Sequence, residues 1–236
     1  MMEETDTTGE MAWLSEKRAQ LVAKNLNKKH IDACYVPDRT EALSTILKMI
    51  PDNARVVRGD SITLEQIGVI SALKESGKNH LVDPFEKDDD GQFVYQPEQA
   101  EEMYREAFSA DVFLAGTNAI TLDGKLINTD GKGNRVAPMI FGPKKVILAA
   151  GVNKIVDDVE EGRKRIRDIC APLDAKRYIL KFGQKEYCDL PCAKTGICND
   201  CRHDLRFCCY TAIIEAASIT EHGRISIVII GEPLGY

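Results

Sequence analysis

The stretch ADVFLAG, residues 110–116, is a run of apolar residues that ends in glycine. A run with almost no polar side chains is typical of a strand that is buried on both faces of a parallel sheet. The stretches KKVILAAG (residues 144–151) and GRISIVIIG (residues 223–231) repeat the pattern. Together they predict the apolar centre of an α/β sheet.

Helical and strand patterns alternate around these runs. Three shorter strands are predicted at residues 32–37, 54–59 and 80–85, and helices at residues 11–27, 38–50, 61–77, 96–109 and 157–171. Asp38 is a predicted N-cap, and Gly77 is a predicted left-handed helix terminator. The repeated βα order predicts an open, mostly parallel sheet that is flanked by helices.

The composition excludes several classes of protein. No apolar run approaches the roughly 20 residues that a membrane helix needs, so we predict no membrane span. The net charge of -6 argues against a main role in binding nucleic acid. Residues 1–10 are polar and acidic and do not resemble a secretory leader. We therefore expect a flexible N-terminus and a cytoplasmic location.

Six of the eight cysteines lie within residues 188–209. In a reducing compartment, clustered cysteines are more often metal ligands than disulfides. A C-x2-C pair with cysteines five and six residues away on either side is able to close a four-thiolate shell. The predicted ligands are Cys192, Cys198, Cys201 and Cys208, with Cys188 and Cys209 as possible substitutes.

Two metal centres fit these four thiolates. A [4Fe-4S] cluster is preferred and Zn²⁺ is the alternative, since both accept four thiolates. Residues 184–210 are short of aliphatic side chains, so we interpret them as an excursion from the core that needs a staple to be ordered. Reduced thiols or disulfides would be the simpler explanation. Cys34 and Cys170 lie in apolar contexts and are predicted core residues.

A glycine-rich centre follows the buried strand at residues 110–116. LDGKLIN (residues 122–128) predicts a hairpin with its turn at Asp123 and Gly124. Because open α/β sheets bind ligands at the carboxyl ends of their strands, an anion site is predicted here. A plain set of glycine turns is the alternative, and an anion at Ser61 and Thr63 is a weaker second case. The predicted anion-binding residues are Gly116, Thr117, Asn118, Lys132, Gly133, Asn134 and Arg135.

Three stretches of the chain resemble the LUD-domain family, which is named for lactate utilisation. They are residues 110–156 (ADVFLAGTNAITLDGKLINTDGKGNRVAPMIFGPKKVILAAGVNKIV), PCAKTGICNDCRHDLRFCCY (residues 191–210) and GRISIVIIGEPLGY (residues 223–236). The resemblance implies a single LUD domain over residues 1–236, with the fold of the ribose-phosphate isomerase and coenzyme-A transferase superfamily. It also implies a role beside iron–sulfur and flavin-linked proteins in oxidising lactate to pyruvate.

The chain departs from its relatives at two points. LUD proteins of the lactate pathway often lack the cysteine segment, so its presence implies a cluster-carrying branch with another substrate or electron partner. Some sugar-phosphate isomerases place a catalytic Asp where this chain has Asn118, and a neutral amide cannot act as a general base. Asp123 and Asp130 are the nearby carboxylates, and Asp123 is assigned to the turn.

The leading hypothesis is a redox-associated protein that binds a small hydroxy or oxo acid, carries the cluster and passes electrons to a protein partner. A second hypothesis is a non-catalytic subunit in which structural zinc folds the cysteine segment for partner docking. A third is an isomerase or transferase acting on a phosphorylated or CoA-linked substrate. The sequence leaves the substrate and the oligomeric state open.

Overall fold

A six-stranded, fully parallel sheet forms the centre of the molecule. The structure is a computed structural model that describes residues 5–199 and 201–236. Within those residues the strand order is β1-β10-β7-β4-β2-β3. The strands are β1 (Asp32–Val36), β2 (Arg55–Arg58), β3 (His80–Val82), β4 (Val112–Gly116), β7 (Lys145–Gly151) and β10 (Ile225–Ile230). The predicted mostly parallel α/β fold is confirmed.

The three middle strands are buried on both faces, as their apolar runs predict. Along β4, Phe113 packs into one hydrophobic cluster and Leu114 packs into a second. Along β7, Leu148 packs into the same cluster as Phe113, and Ile147 packs into the same cluster as Leu114. Because side chains alternate along a strand, a continuous apolar run supplies both layers. Helix α1 (Thr8–Asn27) covers one face, and α2 (Arg39–Lys48), α3 (Ile62–Ile67) and α4 (Val69–Ser76) cover the other.

The helices begin and end at recognisable signals. Asp38 caps α2 by accepting a hydrogen bond from the Glu41 amide at 2.9 Å, and Gly77 ends α4 in the left-handed region. Among the described residues, no helix is both long and apolar enough to cross a membrane. The helices are α1 (Thr8–Asn27), α2 (Arg39–Lys48), α3 (Ile62–Ile67), α4 (Val69–Ser76), α5 (Pro97–Glu106), α6 (Val136–Ile140), α7 (Val159–Arg165), α8 (Ala171–Phe182) and α9 (Pro191–Thr195).

Three helix boundaries differ from the predicted ones. The helix predicted at residues 61–77 is broken at Gly68, whose φ of 85° separates α3 from α4. The helix predicted to end at residue 171 continues through a π-helical turn, Ile166–Cys170, into α8. At the N-terminus, α1 already begins at Thr8, so residues 8–10 of the expected flexible segment are helical. Residues 1–4 lie outside the described part.

A second, smaller sheet follows β4. Within the described residues its order is β8-β5-β6-β9, with β5 (Ala119–Thr121), β6 (Leu126–Asp130), β8 (Ile155–Val156) and β9 (Tyr210–Ile214). Strands β5 and β6 form the predicted hairpin, with Gly124 at a φ of 81° in its turn. Strand β9 pairs antiparallel with β6 and was not predicted. It returns the chain from the cysteine segment to the fold.

We expect Gly151→Ala to destabilise the fold. A Cβ at Gly151, where β7 ends, would lie 2.5 Å from both the Glu232 carbonyl oxygen and Asn153 Oδ1, and would also press on the Leu234 amide. Since two of these atoms belong to the backbone, the C-terminal segment would have to move, at a cost of about 1–3 kcal/mol. A thermal unfolding scan should show the midpoint several degrees lower, which is roughly what such a cost implies.

Gly9→Ala is the matched control. Gly9 lies in the exposed first turn of α1, and a Cβ there meets nothing within 4 Å. Alanine is the better helix former, so the midpoint should be unchanged or slightly raised. Equal midpoints for Gly151→Ala and the unmodified chain would contradict the crowding at β7.

Candidate functional site

The glycine-rich centre lies at the carboxyl end of β4, where Gly116 allows a close approach. A Cβ on Gly116 would lie 2.8 Å from the Ser61 hydroxyl oxygen. Ser61 is the N-cap of α3 and accepts a hydrogen bond from the Leu64 amide at 3.3 Å. Thr117 is buried, and its hydroxyl donates to the Ala119 carbonyl at 3.3 Å. The centre is tightly packed.

Arg135 organises this centre. Its Nη1 donates to the Gly116 carbonyl at 3.1 Å and to Asn128 Oδ1 at 2.8 Å. Its Nη2 donates to Asn118 Oδ1 at 2.7 Å and to the Thr129 carbonyl at 3.0 Å. The remaining N–H, on Nε, donates to Asp130 Oδ1 at 3.1 Å. All five N–H groups of the guanidinium therefore have acceptors within the protein.

The carboxylate of Asp130 accepts hydrogen bonds from backbone amides at the predicted anion site. Its Oδ2 accepts from the Arg135 amide at 2.9 Å and from the Val136 amide at 2.7 Å, at the start of α6. A side chain of the protein thus supplies the anion that a helix start favours. Lys132 is exposed and pairs with Glu101 at 3.0 Å. Anion binding at this centre stays a prediction.

Asn118 connects the end of β4 to β6 through hydrogen bonds. Its side-chain oxygen accepts from Arg135 and from the Thr129 amide, the latter at 2.9 Å. The backbone amide of Asn118 donates to Asn128 Oδ1 at 3.2 Å. These bonds join the end of β4 to β6. A carboxamide in this position therefore holds the two sheets together.

Lys154 is a buried amine beside the centre, and it was not predicted as a site residue. It follows β7, is only 4% exposed, and donates to the Thr63 hydroxyl at 3.0 Å. Burial, with a contribution from the charge of Arg165, lowers the pKa of Lys154 to about 7. Arg165 is also buried and donates to Cys170 Sγ at 3.0 Å. The only sequence signal was the position of Lys154 just after an apolar strand.

A network of acids and bases continues from the centre along the carboxyl edge. The Arg177 guanidinium on α8 pairs with Asp60 at 2.6 Å and with Asp174 at 3.4 Å. The Tyr236 hydroxyl donates to Asp174 at 2.8 Å. Burial, followed by the nearby charge of Asp60, raises the pKa of the Asp174 carboxyl. This network was not predicted from the sequence, because the predicted helix ended before residue 172 and so did not include Asp174 and Arg177.

A second set of ion pairs lies beyond Asp60. Arg58, the last residue of β2, is 4% exposed and donates to Asp83 at 2.6 Å. Arg58 also pairs with Glu65 of α3. Lys74 pairs with Asp83 at 3.1 Å and with Glu86 at 3.0 Å. These pairs line one wall of a cleft of about 600 Å³ against α8.

The four thiols of the predicted quartet influence one another electrostatically. Burial raises the pKa of the Cys192 thiol, and nearby Cys201, Cys198 and Cys208 raise it further. Burial likewise raises the pKa of Cys208, although a hydrogen bond from Arg206 opposes the rise. Across residues 5–199 and 201–236, however, no group of three or more His, Cys, Asp or Glu side chains is arranged to hold a metal ion. Metal binding therefore stays a prediction.

The two possible substitutes are more exposed than the quartet. Cys188 and Cys209 are both exposed, whereas each member of the quartet is partly buried. Cys209 Sγ donates to the Arg206 carbonyl at 3.4 Å. Cys170, predicted as a core residue, is buried in the third hydrophobic cluster, and Cys34 is half-buried against the second. Both cysteines lie outside the segment, as expected.

Aromatic rings attach the cysteine segment to α8. Phe207 stacks on Tyr187 with ring centroids 4.7 Å apart, and it lies 5.0 Å from Tyr178 of α8. Tyr178 in turn contacts Phe182 at 5.2 Å, and Phe182 contacts Phe93 at 4.9 Å. The rings thus form a continuous path from the segment to the cleft.

A mostly parallel α/β sheet with a polar, glycine-rich carboxyl edge defines the class of this protein. Within that class, the model of the LUD domain matches residues 19–228. The chain therefore belongs to the LUD-domain family, as the resemblance implied. No curated protein matches it.

Several solved structures are similar to the chain, including the following two. A crystal structure of a DUF162 family protein from Deinococcus radiodurans is 14% identical, covers 94% of this chain and 97% of its own, and gives a TM-score of 0.43. The ribose 5-phosphate isomerase from Plasmodium falciparum is 16% identical, covers 50% of this chain and 52% of its own, and gives a TM-score of 0.32.

We expect Arg135→Lys to destabilise the protein by about 2–4 kcal/mol, because it leaves buried acceptors without donors. An ammonium group has three donors and lacks the planar fork that reaches Asp130, Asn118 and Asn128 together. Urea unfolding monitored by circular dichroism measures the change. Arg105→Lys is the matched control, since Arg105 is 60% exposed and its ion pairs among the described residues are with acids of its own helix. Equal losses in the two variants would contradict the organising role.

Lys154→Met should stabilise the protein, and the gain should depend on pH. Because burial lowers the pKa of Lys154 to about 7 in the folded chain, against 10.5 for an ordinary lysine, the unfolded chain binds the extra proton between those pH values. Wild-type stability therefore carries the full penalty below pH 7 and loses it as pH rises towards 10.5. The advantage of methionine should be a few kcal/mol below pH 7 and should shrink above it. Urea unfolding of both proteins at pH 6, 8 and 9.5 would reveal a constant difference if the prediction is wrong.

Proposed function

We propose that this LUD-domain protein is redox-associated, carries an iron–sulfur cluster on its cysteine segment, and takes part in oxidising lactate or a related small hydroxy or oxo acid. The observation that supports the proposal is electrostatic and concerns four thiols within 17 residues of sequence. Burial raises the pKa of the Cys192 thiol, and Cys201, Cys198 and Cys208 raise it further. Four thiolates are a donor set that iron–sulfur clusters accept.

A bound cluster would supply one-electron transfer at this segment. The chain itself supplies a positive charge beside the thiols, the guanidinium of Arg206. Arg206 donates to the Cys201 carbonyl at 2.9 Å, to the Cys208 carbonyl at 2.8 Å and to Cys208 Sγ at 3.6 Å. These bonds fix the backbone of two predicted ligands. A cation at this point offsets the negative charge of thiolates and lowers the cost of deprotonating them.

The contacts of the segment support a role beside the carboxyl edge of the sheet. Tyr187 and Phe207 pack on Tyr178, the residue next to Arg177 in the acid–base network. The aromatic residues of the segment therefore pack next to the acid–base network. An acid substrate bound at the glycine-rich centre or beside it would lie near the proposed cluster. A protein partner would then accept or deliver electrons at the exposed side of the segment.

A structural zinc site is the second candidate, and it is favoured by the same thiol set. Zinc also takes four thiolates, and a metal is able to order a loop that is short of aliphatic residues. In that case the segment would be a docking surface without a redox role. The metal found in the protein separates the two candidates.

The test is the metal content of protein purified without oxygen or chelators. We expect iron and acid-labile sulfide in similar amounts, a visible absorbance band that bleaches on reduction, and an EPR signal in the reduced protein. Serine variants of Cys192, Cys198, Cys201 and Cys208 should each lose most of the iron. Cys34→Ser is the matched control, because Cys34 lies in β1, outside the segment, and should keep it.

The opposite outcomes are equally clear. Zinc without iron would remove the redox proposal and leave the structural candidate. Iron lost from Cys188→Ser or Cys209→Ser, and kept in one quartet variant, would reassign the ligands. Neither metal in fully reduced protein would overturn both candidates. Where iron is present, lactate-dependent reduction of the protein in the presence of its partner fraction tests the substrate.

A further inference from the structure

The cleft beside α8 is large and lies outside the glycine-rich centre. Its volume of about 600 Å³ falls in the usual range for small-molecule sites. Arg58 and Asp60 approach it from the end of β2, Phe85 and Phe93 from the segment that follows β3, and Phe182 from α8. It therefore occupies the outer part of the carboxyl edge, where open α/β sheets bind ligands.

Cations outnumber acids around this cleft. Six basic side chains line it, although the whole chain carries a net charge of -6. Four carboxylates also line it, and each is engaged by a base. Asp60 pairs with Arg177, Glu65 with Arg58, Asp83 with Arg58 and Lys74, and Glu86 with Lys74. The four acids of the cleft are thus all paired with three of the bases, and the six bases and four acids leave the lining with an excess of two positive charges.

The other three bases are Lys87, Lys176 and Lys181. Among the described residues none of the three has a carboxylate within ion-pair distance. Lys87 instead lies over the rings of Phe182 and Phe93, at 4.2 Å and 5.5 Å from their centroids. Desolvation, followed by the charge of Arg177, lowers the pKa of Lys87. Such a group of cations lacks a counter-charge and attracts an anion.

Flat apolar surface lies beside these lysines. Phe85, Phe93, Phe182 and Tyr236 line the cleft, and Leu173 and Leu180 of α8 add exposed aliphatic surface. A three-carbon acid would fill only a small part of this volume. The cleft therefore suits a larger ligand, with a charged end for the lysines and a flat end for the rings.

We propose that the cleft binds an organic phosphate of nucleotide size, with its phosphate on Lys87, Lys176 and Lys181 and its ring against Phe93 and Phe182. Lysines are common phosphate ligands because they act as mobile point charges. Aromatic rings stack on flat bases without needing a particular base. The proposal is independent of the metal, since none of these five side chains belongs to the cysteine segment.

Isothermal titration calorimetry of the full chain tests the ligand class. The probes are ATP and AMP, which combine ring and phosphate, ribose 5-phosphate and inorganic phosphate, which lack the ring, and adenosine, which lacks the charge. We expect saturable binding of ATP or AMP, with ribose 5-phosphate, phosphate and adenosine at least about tenfold weaker. The affinity should also fall as salt is added, because the contact is ionic.

Substitutions test the residues. Lys87→Gln, Lys176→Gln and Lys181→Gln should each weaken nucleotide binding by about fivefold to tenfold, and Phe182→Leu should weaken ATP more than ribose 5-phosphate. Lys144→Gln is the matched control, because Lys144 is also exposed but lies just before β7, at the opposite edge of the sheet from the cleft, and pairs with Asp111. It should bind as the unmodified chain does. Unchanged unfolding midpoints will show that the variants remain folded.

Three results would overturn the proposal. These are an absence of saturable heat with ATP and AMP, an equal loss in Lys144→Gln and the cleft variants, and binding of citrate with no binding of phosphates. Iron and sulfide content should be the same in all the lysine variants. A failure of nucleotide binding is therefore distinguishable from a failure of the iron–sulfur proposal.

Discussion

The guanidinium of Arg135 is mostly enclosed between the two sheets, and each of its five N–H groups needs an acceptor there. The acceptors come from the end of β4, from β6 and from the loop after β4. Their positions are consequently coupled. The turn after Gly116, the hairpin and the start of α6 must adopt one arrangement together, because displacing any of them leaves a buried donor unsatisfied. Everything at the carboxyl edge is built on this fixed junction.

This junction divides the edge into two chemically different halves. Around Arg135 the charges are internally matched, since Asp130 supplies the anion and Asn118 supplies a neutral acceptor. Further along, at the cleft, the four acids are paired with three bases, and three lysines have no carboxylate within ion-pair distance among the described residues. Cations without such partners retain their attraction for an incoming anion, whereas saturated ones must first give up existing bonds. An incoming anion would therefore meet fewer competing bonds at the cleft than at the glycines.

Local patterns were sufficient for the elements whose cause is local. The buried strands at residues 110–116 and 144–151, the N-cap at Asp38 and the turn at Gly124 each follow from the chemistry of a few neighbouring residues. Strand β9 was missed because its partner, β6, lies about 80 residues away and its own burial is slight. Lys154 was missed for a similar reason: a lysine after a strand normally faces water. Its burial depends on Thr63 and Arg165, which the fold brings from elsewhere.

The cysteine segment has apolar contacts that its composition did not predict. Its shortage of aliphatic residues predicted a segment that needs a staple to be ordered. In the structure Leu190 is 1% exposed, and Tyr187 and Phe207 pack on Tyr178, so both ends of the segment have an apolar anchor. Aromatic rings bury a large area each, and a few of them replace many aliphatic contacts. A metal at the quartet would therefore act on the loop between two anchors, where it would set the positions of the thiols and would not be needed to dock the segment as a whole.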